Sequence, residues 1–85
     1  MIFEYKGEIQ IEEGLTLMNP KMELISVFYN LKTNEFKLEA HFWETKYRHS
    51  RVFTTTNPNP GSLTMEAVME FVMTHEVLSQ FTPQA

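Results

Sequence analysis

The stretches MELISVFYNL at residues 22–31 and EFKLEAHFWET at residues 35–45 decide the predicted fold. Both are rich in β-branched, aromatic and other apolar side chains, and residues 32–35 separate them at the distance of a hairpin loop. When Leu31 is paired with Phe36 across this loop, one face of the two strands becomes wholly apolar. That face is formed by Ile25, Val27, Tyr29, Leu31, Phe36, Leu38, Ala40 and Phe42. The sequence therefore predicts an antiparallel hairpin with one face in the core.

The reverse face of the predicted hairpin is polar except for three large side chains, Leu24, Phe28 and Trp43. A tryptophan in the middle of the outer face of a strand is typical of an interface anchor, because its ring is large and mostly apolar. We expect these three side chains to contact another protein. Coverage by the N-terminal segment of the same chain is the alternative.

Further strands are predicted on both sides of the hairpin. Residues 1–12 alternate between apolar and polar side chains, as in a half-buried strand, and Gly7 marks either a bulge or a bend between two short strands. Residues 14–21 are predicted to form a loop. Residues 47–56 predict a last strand whose register stays open, since the core face is either Tyr47, His49, Arg51 and Phe53 or Arg48, Ser50, Val52 and Thr54. Neither set is cleanly apolar, which predicts an edge strand or one completed by a partner.

A helix is predicted over residues 63–80, after the turn-forming sequence at residues 57–61. Ser62 or Thr64 is the expected N-cap residue. The helix is more apolar than packing on a single sheet face requires. The predicted fold is therefore one α+β domain over residues 1–85, a three- or four-stranded antiparallel β-meander with one C-terminal helix packed on one face.

The composition narrows the class of protein. The 85 residues contain no cysteine, so the chain has neither disulfides nor thiolate ligands. The net charge of −4 argues against a general nucleic-acid binder, which depends on lysine and arginine to neutralise phosphates. No apolar run approaches the roughly 20 residues that span a bilayer, and the N-terminus lacks the pattern of a signal peptide. We expect a protein of the cytoplasm, or of a particle assembled there.

Charged residues are segregated along the chain. Glu4, Glu8 and Glu12 share one face of the first predicted strand, whereas residues 46–51 form a basic run that includes Tyr47, Arg48 and Arg51. The basic run is read as protection of an exposed edge or as a protein contact, with nucleic acid disfavoured by the acidic remainder. The two charged segments either pair within one chain or join subunits head to tail. The candidate interface comprises Leu24, Phe28, Trp43, Tyr47, Arg48, Arg51, Glu4, Glu8 and Glu12.

Groups that could carry catalysis are few. The sequence has three histidines and no aspartate, and it shows neither a glycine-rich phosphate loop nor a nucleophile motif. His41 and His49 would face each other in one register of the last strand, but two ligands are fewer than a zinc site needs. We therefore predict no metal, no cofactor and no enzymatic activity.

Three functional hypotheses follow from these patterns. The first is a protein–protein interaction or assembly subunit, either homo-oligomeric or part of a larger particle such as a phage virion. The second is a small acidic inhibitor or regulator of an enzyme or nucleoprotein. The third is a small histidine-dependent enzyme, which would need a concave pocket.

Overall fold

A computed structural model describes residues 1–84 of the chain. It has seven β-strands, one α-helix named α1 and a short 3-10 helix at Leu78–Gln80. The elements are β1 at Ile2–Glu4, β2 at Glu8–Glu12, β3 at Leu15–Met18, β4 at Lys21–Asn30, β5 at Glu35–Trp43, β6 at Arg48–Thr56, α1 at Met65–Thr74 and β7 at Thr82–Pro83. The predicted α+β class is confirmed, and the chain has more strands than the three or four predicted.

The strands form two antiparallel sheets. The larger sheet has the order β6-β5-β4-β1-β7, and the smaller one is the hairpin of β2 and β3. The predicted meander is present as β4-β5-β6, and β1 and β7 extend the sheet beyond β4. β6 therefore lies at one edge of the large sheet, as its mixed side chains predict.

The first predicted strand bends at Gly7 and divides between the two sheets. Gly7 has a φ of 117°, and its N–H donates to Oδ1 of Asn19 at 2.7 Å, while the Asn19 N–H donates to the Gly7 carbonyl at 2.8 Å. A single strand over residues 1–12 is thus wrong, and a bend between two short strands is correct. The predicted loop at residues 14–21 is also wrong in part, because β3 lies within it and pairs with β2.

The central hairpin has a register two positions away from the predicted one. Tyr29, and not Leu31, pairs with Phe36, so the connecting loop is residues 31–34. Asn34 adopts a left-handed φ of 57°, and Oδ1 of Asn30 accepts hydrogen bonds from the N–H groups of Lys32 and Thr33. These two asparagines fix the loop one residue earlier than the apolar pattern indicates.

A β-bulge in β4 changes which side chains face the core. The pairing with β5 shifts between Leu24 and Ser26, which leaves Ile25 as the extra residue. Leu24 lies opposite the buried Ala40 and packs against the core, while Ile25 is 46% exposed. The predicted position of Leu24 on the outer face is therefore wrong, because the bulge reverses the alternation on its N-terminal side.

One face of the large sheet carries the core, and α1 and the β2-β3 hairpin cover it. Side chains of β5 alternate between this core and solvent, and Phe36 packs edge-on against Phe71 of the helix at 5.7 Å between ring centroids. The buried apolar side chains of the core are Phe3, Ile9, Ile11, Leu17, Met22, Phe36, Leu38, Ala40, Phe42, Phe53, Val68, Val72, Leu78 and Phe81. No element within residues 1–84 covers the opposite face of the sheet, which is called the outer face below.

The helix begins after Thr64, one of the two predicted N-cap residues, and it ends earlier than predicted. Oγ1 of Thr64 accepts from the N–H of Ala67 at 3.2 Å, which confirms Thr64 and not Ser62 as the N-cap. The helix stops at Thr74 instead of residue 80, because His75 takes an extended backbone and its Nδ1 accepts from Val77 and Leu78 N–H groups. No helix within residues 1–84 is both long and apolar enough to cross a membrane.

Candidate protein interface

The predicted aromatic interface residues lie at opposite ends of the outer face. Phe28 pairs with Lys37 of β5, and 76% of its surface is exposed. Trp43 pairs with Lys21 and Arg48 and is half-buried. Lys37 and Trp43 are six residues apart along β5, which separates the two aromatic groups by about 20 Å. They therefore belong to two surfaces and not to one patch.

The Trp43 end of the outer face is a shallow polar depression. Glu23, His41 and Arg48 line it together with Trp43. Glu4 follows on the other side, because it pairs with Lys21, the strand neighbour of Trp43. Charges of both signs thus alternate around the half-buried ring. Such a mixed surface fits a polar contact with protein.

Tyr47 belongs to the loop between β5 and β6 and is exposed. The Glu44 N–H donates to the Tyr47 carbonyl at 2.9 Å, and Oε2 of Glu44 accepts from the N–H of Met18. The loop is therefore anchored to the end of β3. Tyr47 stands next to the small hairpin, away from Phe28.

The basic and acidic segments meet within the chain at the edge strand β6. Arg51 pairs with the core residue Ala40, and its Nη1 donates to the carbonyl oxygen of Ile11 on β2. Nε2 of His49 contacts Oε1 of Glu12 in the same two strands. Of the two registers that the sequence leaves open for β6, the structure has the one in which His49 and Arg51 lie on the core side. These side chains hold the β2-β3 hairpin against β6, as the intrachain alternative predicts.

The three glutamates do not share one strand face. Glu4 lies in the large sheet, whereas Glu8 and Glu12 lie in the small hairpin. Glu8 is exposed opposite Met18, and Glu12 contacts His49. The bend at Gly7 therefore removes the predicted continuous acidic face.

The histidines occupy three separate surroundings. His41 pairs with Ser50 on the outer face, and His49 lies on the core side, so the predicted alternative of a facing pair is not formed. Within residues 1–84 no three side chains of the metal-binding types converge. The His75 ring packs against Phe53 and Phe71 at 4.8 and 5.4 Å, and its Nδ1 caps the following turn. Burial lowers the pKa of His75 below its usual 6.5, the Arg51 charge lowers it further, and Glu76 opposes the shift.

The N-terminal segment leaves most of one side of β4 unpaired. β1 pairs with β4 only from Lys21 to Glu23, and no other strand within residues 1–84 lies beside residues 24–30 on that side. This segment is called the open edge below. Phe28 projects from it, and Ile25, Val27 and Leu31 are 46%, 37% and 75% exposed. No charged residue occurs between Glu23 and Lys32.

The other strand edges of the large sheet differ chemically from the open edge. β6 carries Arg48, His49 and Arg51, and the two-residue β7 contains Pro83, which has no N–H to donate. Charge and proline are the usual means by which proteins prevent unwanted pairing at sheet edges. The open edge of β4 has neither a charge nor a proline, although it carries the β-bulge at Ile25. Sequence reasoning missed this surface, although the uncharged run at residues 24–31 was its visible signal.

An apolar groove lies between the helix and the β1–β7 side of the sheet. Phe3, Met69, Met73, Phe81 and Pro83 line it, and Met73 is exposed. Part of the helix's apolar surplus is therefore directed toward β1 and β7. Comparison with models of protein families, with curated proteins and with solved structures finds no match for this chain.

Proposed function

We propose that this chain is a non-enzymatic protein–protein interaction or assembly subunit that binds its partner through the open edge of β4. The observation that carries the proposal is the row of unpaired backbone groups at residues 24–30, flanked by exposed apolar side chains. Unpaired N–H and C=O groups of an edge strand are a template for a strand from another chain. Phe28 supplies the large side chain that commonly anchors such contacts.

The charge distribution supports protein and not nucleic acid as the partner. The net charge is −4, and Arg51 of the basic run is engaged with Ile11 inside the chain. Acidic residues outnumber lysine and arginine by eleven to seven, so the chain as a whole would repel a polyanion. The proposal includes neither a metal nor a cofactor.

A second candidate function is a small regulator that binds one target protein through the Trp43 depression. The half-buried ring surrounded by Glu23, His41 and Arg48 favours this alternative, because aromatic and arginine side chains are enriched in interfaces. A regulator would bind with a fixed stoichiometry of one target per chain. An assembly subunit would form larger complexes as the protein concentration increases.

Sedimentation velocity separates the two candidates. We expect wild-type protein, alone or with a partner isolated from its native source, to form a complex that Phe28→Lys abolishes and Trp43→Ala leaves intact. Val52→Lys is the matched control, since Val52 is a comparably exposed apolar residue on the outer face of β6. Loss of the complex in Trp43→Ala alone would favour the regulator. A wild-type chain that stays monomeric and retains no protein partner would contradict both.

A further inference from the structure

We infer that the occupant of the open edge is a second copy of this chain, whose β4 pairs antiparallel with the first about a two-fold axis at Phe28. The inference rests on the proposed function, because it names the partner of the same surface. It joins the two large sheets into one continuous sheet. Each chain contributes the same residues, as a two-fold interface requires.

The exposed apolar side chains of β4 and the following residue fix the centre of this pairing. In a two-fold antiparallel pair, one residue lies opposite its own copy, and residues equally far on either side lie opposite each other. These side chains extend from Ile25 to Leu31, and Phe28 lies midway between those two residues. Ile25 of one chain then meets Leu31 of the other, and Val27 meets Tyr29. The exposed apolar side chains of each copy are covered by those of its partner.

The neighbouring elements of the fold restrict the register. β1 already occupies the edge of β4 from Lys21 to Glu23. A centre closer to the N-terminus would move Leu31, and with it more of the loop at residues 31–34 of the second copy, level with β1. A centre closer to the C-terminus would leave Ile25 without a partner. Pairing about Phe28 places Leu31 of the second copy opposite Ile25, two residues from Glu23, the partner of Ile2 at the start of β1.

The proposed pairing brings no like charges directly opposite each other. Like charges directly opposite each other destabilise a strand pair, and the run from Leu24 to Leu31 contains no charged side chain. The nearest cation beside Phe28 is Lys37 on β5. It would be separated from its copy by three strand spacings, about 14 Å. This distance exceeds the Debye length of about 8 Å at physiological ionic strength.

The β6 edge is a poorer site for a second copy. Two-fold pairing of β6 about its middle residue, Val52, would place Arg51 of one chain diagonally across from Arg51 of the other, a contact between like charges. Arg51 and His49 are also engaged with β2. The β4 edge is therefore a better site than the β6 edge for pairing with a second copy of the chain.

Disulfide trapping tests this pairing, because the chain has no cysteine of its own. A single Phe28→Cys substitution can form a disulfide only with another copy. Directly opposed residues of an antiparallel pair have Cβ atoms about 4.5–5.5 Å apart, close to the span of a disulfide. Val52→Cys is the matched control on the outer face of β6. Unfolding curves of both variants, measured with reductant, verify that each one folds.

The inference predicts that oxidised Phe28→Cys dimers form at least about tenfold faster than Val52→Cys dimers, because pairing raises the effective thiol concentration. A mixture of Ile25→Cys and Leu31→Cys proteins should give the mixed dimer in excess over either homodimer. Equal rates for Phe28→Cys and Val52→Cys would overturn the inference. If Phe28→Lys still abolishes binding to a different protein in that case, the proposed function stands without the second copy. If no complex forms at all, both fall.

Discussion

Arg51 donates a hydrogen bond from Nη1 to the carbonyl oxygen of Ile11, and its guanidinium lies 4.5 Å from the Phe53 ring centroid. A residue that the sequence assigns to an external contact therefore joins the edge strand β6 to the small hairpin. The cation and the aromatic ring lie on the core side of the sheet. Arg51 is therefore engaged within the chain, and the interaction surface that we propose lies on β4 instead.

Arg51→Ala is expected to lower the free energy of unfolding by about 1–3 kcal/mol. The substitution leaves the Ile11 carbonyl without its donor and removes the cation–π contact with Phe53. Urea unfolding provides the measurement. Arg48→Ala, on the exposed outer face, should change stability by less than about 0.5 kcal/mol. Equal effects of the two substitutions would contradict the role of Arg51.

His75 should make stability fall as the pH is lowered. Its folded-state pKa lies below the usual 6.5, first because of burial and then because of Arg51, so the unfolded chain binds more protons between the two values. The free energy of unfolding therefore begins to decrease as pH falls through about 6.5. The loss of the His75 contribution is complete once the pH is below the folded-state pKa. Unfolding curves from about pH 8 to about pH 5 measure the decrease.

The control for His75 is His75→Asn, which retains a side-chain acceptor for the Val77 and Leu78 N–H groups but does not titrate. His41 and His49 remain in both proteins, so the difference between the two pH profiles reports on position 75. Identical profiles would show that His75 does not contribute.

Thr64→Ala is expected to destabilise the protein by about 1 kcal/mol, because the Ala67 N–H at the start of the helix loses its acceptor. Ser62→Ala should leave stability nearly unchanged, since the Ser62 hydroxyl does not cap the helix. Thermal unfolding of the two variants tests the assignment. A larger loss in Ser62→Ala would reverse it.

Salt should not dissociate the proposed dimer. In the alternative from the sequence in which the acidic and basic segments join subunits head to tail, the contact is partly electrostatic and salt would weaken it. The open edge carries no charged residue, so raising the salt to about 1 M, where the Debye length is about 3 Å, should leave association intact or strengthen it. Sedimentation at low and high salt gives the answer, with Arg48→Glu expected to behave as the wild type. Dissociation by salt would restore the electrostatic contact as the explanation.

Local patterns predict the hairpin, the helix start and the position of β6, because each depends on residues close in sequence. The bulge at Ile25 is invisible to the same reasoning, since Leu24 and Ile25 are both apolar and either can face the core. The bend at Gly7 depends on hydrogen bonds with Asn19, a residue 12 positions away. Sequence spacing alone does not reveal such a contact.

The candidate site could be predicted only in part for the same reason. Phe28 is identified from its place on the outer face, and the structure leaves it exposed there. The open edge exists because β1 runs antiparallel to β4 and pairs with it only from Glu23, opposite Ile2, to Lys21, opposite Glu4. The pairing of β1 with β4 joins distant parts of the sequence, so the sequence pattern of β4 could not show how little of that strand β1 covers.

The central claim is that the open edge of β4 is covered by another strand in the associated protein. Hydrogen–deuterium exchange of the backbone amides at residues 25–30, measured over a range of protein concentrations, tests it most directly. We predict that these amides become protected as concentration rises, while those of the β6 edge do not change, and that Phe28→Lys removes the added protection. Exchange at residues 25–30 that does not vary with concentration, in a wild-type protein shown to associate, would contradict the claim.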